Sequence, residues 1–169
     1  NQNPSFTASS VSAAVNPGGT ITWSTTSSDP DGNTIKLLVC KTQAMSSGSC
    51  TGGNWCTSSL VSSNASCSYV ATAPYADGSY NAYPYIVDQF NLSSTGIQQG
   101  VNKAFTVNNV APSVSSVTLN NGSAISLTES TTTNVEIVAD VTDDNGCLDQ
   151  AGIGDEVSSV KAYLYRSGV

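Results

Sequence analysis

Residues 18–41 read GGTITWSTTSSDPDGNTIKLLVCK, and this stretch decides the fold class. Ile21 and Trp23 alternate with Thr and Ser, then Ile35, Leu37 and Val39 repeat the same two-residue period. Strict alternation puts apolar side chains on one face of an extended chain and polar ones on the other, the pattern of a half-buried strand. Between the two runs lies Ser28-Asp29-Pro30-Asp31-Gly32-Asn33. Pro sets a turn backbone, Gly supplies a left-handed position, and Asp and Asn side chains bond the nearby main chain.

The same reading extends outward. ASCSYVATA places Cys67, Tyr69 and Ala71 on one face, GSYNAYPYIVDQ places Tyr83, Tyr85 and Val87 together, and KAFTVNN carries Phe105 and Val107. Pro84 demotes its position to an edge or a bulge, because it has no N–H for a ladder. Turn clusters NPGG, SGSCTGGN and APYADGS separate the runs. Their spacing predicts an all-β protein built of tandem antiparallel β-sandwiches, the first of about 100 residues.

A boundary falls at Asn109-Val110-Ala111-Pro112, where a strand ends and a new alternation starts with Val114 and Val117. Residues 1–109 form the expected first domain, with a cysteine-rich insertion at 40–67. Residues 110–169 form a partial second domain. Its expected strands include AISLTES, TTNVEIVADVTD (Val135, Ile137, Ala139 and Val141 on one face) and VSSVKAYLYRSG. Three or four strands fall short of the seven or so of a sandwich. The second domain is therefore expected to be cut short or completed by a neighbouring chain.

Charge separates the halves. The first holds Asp29, Asp31, Asp77 and Asp88 against Lys36, Lys41 and Lys103. The second holds Glu129, Glu136, Asp140, Asp143, Asp144, Asp149, Asp155 and Glu156 against Lys161 and Arg166. A net charge of −7 disfavours nucleic acid and anionic membranes as partners. No apolar run approaches the 18 or so residues of a membrane span. Abundant Ser, Thr, Gly and Asn suit strands and turns rather than helices.

Cys40, Cys50, Cys56 and Cys67 lie close together and point to disulfides in an extracellular or cell-surface setting. Sequential pairing, Cys40–Cys50 with Cys56–Cys67, is favoured because short loops close readily. The nested pairing Cys40–Cys67 with Cys50–Cys56 is its rival. A Cys₄ zinc site is the other alternative, but no CxxC knuckle is present. Cys147 is left unpaired.

Three features, in order, resemble bacterial and archaeal tandem immunoglobulin-like repeats of the polycystic-kidney-disease-domain and cadherin-like sort. They are Ser28-Asp29-Pro30-Asp31-Gly32-Asn33, then Asp77-Gly78-Ser79-Tyr80 leading to a strand ending at Asp88, then the linker Asn109-Val110-Ala111-Pro112. The resemblance covers residues 1–112 and part of the rest, and the cysteine-rich insertion departs from it. It implies a non-catalytic module of an adhesin, stalk, spacer or filament.

Two oxygen-rich loops are candidate calcium sites. Asp140, Asp143, Asp144, Asn145 and Asp149 are expected to meet backbone carbonyls near Asn108 and Asn109 and stiffen the domain junction. Asp29, Asp31, Asn33 and Asp88 form the weaker set, with a solvated turn as the plain reading of both. Catalysis is disfavoured, since the chain has no His, no nucleophile elbow and no phosphate loop. Trp55, in a Gly-rich and Cys-flanked loop, is the candidate for glycan stacking, with residues 46–56 as the surrounding binding loops. Expected partners are other repeats of the same protein or neighbouring subunits, with a glycan or surface protein as the alternative. Asn64-Ala-Ser66, Asn91-Leu-Ser93 and Asn121-Gly-Ser123 match the N-glycosylation pattern.

Overall fold

The computed structural model describes residues 1–126, 128–146, 157 and 159–163. It divides into two compact units, one of Asn1–Thr72 with Asp77–Asn109, the other of Ala73–Ala76 with Val110–Val169. The described residues are almost wholly strand, turn and irregular chain.

The first unit holds β1 (Ser5–Val11), β2 (Thr20–Ser28), β3 (Ile35–Cys40), β4 (Met45–Ser46), β5 (Ser49–Cys50), β6 (Asn54–Thr57), β7 (Ser66–Val70), β8 (Gly78–Tyr80), β9 (Tyr83–Asp88) and β10 (Phe105–Val107). It is an antiparallel β-sandwich. One sheet runs β1-β2-β7 and the other β6-β3-β9, while β8 pairs with β10 and β4 with β5. A parallel bridge from Val15 to Val107 ties the chain after β1 to β10.

The alternation read in β2 is the observed one. Ile21, Trp23, Thr25 and Ser27 are buried, and their neighbours in the strand are half-buried or exposed. Phe6, Ile21 and Trp23 of one sheet and Ile35, Leu37, Val39 and Ile86 of the other are fully shielded. Trp23 meets Phe105 edge to face at 5.6 Å, and its indole N–H donates to the Lys103 carbonyl at 3.1 Å. Burying so large a side chain is favourable only because its one polar atom keeps a partner. The inward hydroxyls of Thr25 and Ser27 lie 2.8 Å apart, and Thr25 also donates to the Ala65 carbonyl.

Strand β3 departs from simple alternation. Leu38 and Cys40, on its other face, are buried with Tyr85 and Val87, and Met45, Cys50 and Tyr83 pack on them. The β4–β5 hairpin of the cysteine-rich insertion thus gives β3 a second, smaller core. Pro84 lies in β9, at an edge of its sheet, as its missing donor requires.

The second unit contains β11 (Ser113–Leu119) and β12 (Ile137–Thr142), an antiparallel pair with a bulge between Val114 and Ser116. A strand is expected in AISLTES, and its described residues, 124–126 and 128–130, are irregular chain and turn, with Ser130 at a positive φ. Described residues of VSSVKAYLYRSG are likewise not in a strand, and Leu164 onward lies outside the described residues. An apolar groove is lined by Val114, Val117, Leu119, Ile137, Ala139 and Val160, among others.

Candidate functional site

The two disulfides join Cys40 to Cys50 and Cys56 to Cys67. The first anchors β5 to the buried end of β3. The second connects β6 of one sheet to β7 of the other, at a Cα–Cα separation of 5.9 Å.

Strand register gathers the weaker acidic set at one end of the first unit. Ser5 opposes Ser28 and Ile35 opposes Asp88, so the β2–β3 turn and the end of β9 lie beside the start of β1. Asp29 is 8% exposed, and its Oδ1 accepts the Asp31 N–H at 2.9 Å and the Asn33 N–H at 3.3 Å. This is the side-chain-to-backbone turn that the Pro-Asp-Gly sequence signals. Gly32 sits at φ +75°, a conformation glycine adopts freely. Asp88 is fully buried. Its Oδ1 accepts the N–H groups of Phe90 at 2.9 Å and Leu92 at 2.7 Å, and its Oδ2 accepts the Asn1 side-chain amide.

Asn1 and Gln2 lie across this turn. Gln2 donates to both Asp31 carboxylate oxygens, through its main-chain N–H and its side chain. The Asn33 amide donates to Asn1 Oδ1. Among the described residues, the donors to the Asp29 and Asp88 carboxylates are main-chain N–H groups and the Asn1 side-chain amide. The second oxygen of Asp29, Oδ2, is buried and has no hydrogen-bond partner.

The other acidic set is arranged differently. Asp140 is exposed on β12 and accepts the Ser116 hydroxyl. Asp143 Oδ1 accepts the Asn145 N–H at 2.8 Å. Asp144 is exposed, and its main-chain carbonyl accepts the Tyr75 N–H at 3.0 Å. Asn145 is fully buried, with Oδ1 accepting the Val110 N–H at 2.6 Å and Nδ2 donating to the Tyr75 carbonyl at 3.1 Å. Its side-chain oxygen serves the backbone instead of facing an open loop. Asp149 and Cys147 lie outside the described residues. Among the described residues, no three His, Cys, Asp or Glu side chains form a group able to hold a metal ion.

Trp55 lies on β6, half-buried. Its ring packs edge-on against Phe105 at 4.9 Å and Tyr69 at 5.1 Å, and Lys41 Nζ stands 4.5 Å from its centre. Its N–H donates to the Asn81 carbonyl. The ring also meets Tyr80, so the candidate for glycan stacking is half-buried in an aromatic cluster. Nothing in the local sequence shows this, because Tyr69, Tyr80 and Phe105 arrive from three distant strands.

No family model matches the chain, and no curated protein matches it. Among solved structures it is similar to the PKD domain of an M14-like peptidase from Thermoplasmatales archaeon SCGC AB-540-F20. The likeness is 18% in identity with a TM-score of 0.40, over 63% of this chain and 97% of that one.

Proposed function

We propose that this chain is a non-catalytic structural module of an extracellular or cell-surface protein, serving as a stalk, spacer, adhesin or filament subunit. The observation that carries the reading is the Cys56–Cys67 bond between the two sheets, with Cys40–Cys50 beside it. Such bonds persist in oxidising compartments and limit the unfolded chain, which suits a part that resists proteolysis and load. Thr25, Ser27, Asp88 and Asn145, polar and buried, are engaged in turns and hydrogen bonds of the scaffold. Exposed Val114 and Val117 on the β11–β12 sheet support neighbouring repeats or subunits as the partner class.

Antibody labelling of intact cells that make the protein tests this reading. Label on unpermeabilised cells is the expected result, and label appearing only after permeabilisation rejects it.

A further inference from the structure

We propose that Asn64 carries an N-linked glycan, attached through its side-chain nitrogen and specified by the triplet Asn64-Ala65-Ser66. The inference deepens the surface-module reading and rests on it, because this modification belongs to surface loops of exported chains.

The chain has triplets of this pattern beginning at Asn64, Asn91 and Asn121. All three asparagines are exposed, and all three have a positive φ, at 51°, 66° and 50°. Asn enters the left-handed region at small cost, since its short side chain bonds locally. Turn geometry therefore accounts for each Asn without any glycan. It does not account for the Ser two positions further on. The hydroxyls of Ser66, Ser93 and Ser123 make no hydrogen bond among the described residues, so the fold makes no use of them.

Of the three, Asn64 is the one whose amide nitrogen the fold leaves open. Its main-chain N–H donates to the Ser27 carbonyl at 2.8 Å. Its Oδ1 accepts the Ser27 N–H at 3.2 Å. These two bonds to β2 fix the side chain by its oxygen. Nδ2 has no hydrogen-bond partner among the described residues. Ala65 is fully buried, and its carbonyl accepts the Thr25 hydroxyl, which pins the turn to the sandwich. Ser66 then opens β7, exposed and opposite Ser24. Asn121 differs, because its Nδ2 donates to Glu136 at 3.1 Å. The Asn91 side chain lies against Gly48, in the turn between β4 and β5.

The transfer needs a sugar donor carried on a polyprenyl diphosphate and a membrane-bound transferase that reads the Ser66 hydroxyl. Nδ2 forms a bond to the anomeric carbon of the first sugar. The bond from that carbon to the diphosphate oxygen breaks, and its electron pair leaves with the lipid diphosphate. Nδ2 gives up one of its two protons, and nothing is oxidised or reduced. The product keeps Oδ1 and one N–H, so the bond from Ser27 survives the modification. A bulky, solubilising group then stands over the connection between β6 and β7.

The test is peptide mapping by mass spectrometry on the protein purified from the cells that make it, beside two variants produced in the same cells. The wild-type peptide containing Asn64 is expected to carry a glycan. Ser66→Ala removes a hydroxyl that the fold does not bond and leaves both contacts between Asn64 and Ser27 in place. It is expected to keep the wild-type circular dichroism and to lose the Asn64 glycan. Ser66→Thr keeps a hydroxyl at a strand position that suits Thr, and it is expected to carry the glycan as wild type does. A bare Asn64 in wild type, a glycan still on Asn64 in Ser66→Ala, or a bare Asn64 in Ser66→Thr would each overturn the proposal. If the bare protein is labelled on unpermeabilised cells, the surface reading stands and the glycan alone falls. If it is labelled only after permeabilisation, both fall.

Discussion

Cys56 and Cys67 belong to different sheets of the sandwich, and their bond holds β6 against β7 with Cα atoms 5.9 Å apart. Cross-links of this span remove denatured-state freedom worth about 3 kcal/mol. Replacing both by Ala is expected to lower unfolding free energy by about that amount in denaturant titration. The pair Cys40 and Cys50 closes a loop of nearly equal length. Removing it is expected to cost more, since Cys40 is fully buried in the Leu38–Tyr85–Val87 cluster and its loss leaves a void.

Asn145 is the buried clasp of the second unit, bonded to Val110 and Tyr75. Asn145→Ala leaves the Val110 N–H without its acceptor, at a cost of about 1–3 kcal/mol. Asn145→Asp keeps the acceptor but sets an oxygen against the Tyr75 carbonyl, so it is expected to be destabilising as well. Amide hydrogen exchange at Val110 reads both, and unchanged protection would contradict the assignment.

Tyr85 has its pKa raised above the ordinary 10.0, first by burial and then by the neighbouring Tyr83. The neutral phenol is thus favoured in the folded state. Above pH 10 or so the unfolded chain releases this proton first, so it binds fewer protons than the folded chain and stability falls as pH rises. The contribution is complete below that pH and is lost through the raised folded value. Tyr85→Phe is expected to flatten this alkaline slope, measured by denaturation at a series of pH values.

Gly96 faces the main chain of Phe6, whose carbonyl a Cβ would overlap. The neighbour is backbone and does not swing aside. Gly96→Ala is expected to lower stability by about 1–3 kcal/mol and to disturb the start of β1, visible as lost amide protection around Phe6.

Much of the first unit was legible because a strand's two-residue period is written locally. Ile21 and Trp23 point inward for the same reason they alternate with Thr and Ser. The turn at Asp29–Asn33 was equally legible, since Pro, Gly and Asp act on their own backbone. AISLTES shows the limit of that logic, as its described residues, Ile125 among them, lie outside any strand, and a strand needs pairing that local sequence does not supply. Trp55 shows another, since a Gly-rich neighbourhood says nothing of the rings that close on it from β7, β8 and β10.

The sequence by itself determined the all-β class, the turn chemistry and the first unit's strand faces, because each depends on residues within a few positions of one another. Only the tertiary structure decided which cysteines pair, what covers the second face of β3, and that Asp29 and Asp88 come to one end of the sandwich. It also decided that Asn145 serves the backbone. These depend on register between strands distant in the chain, where a shift of one residue turns every side chain to the opposite face.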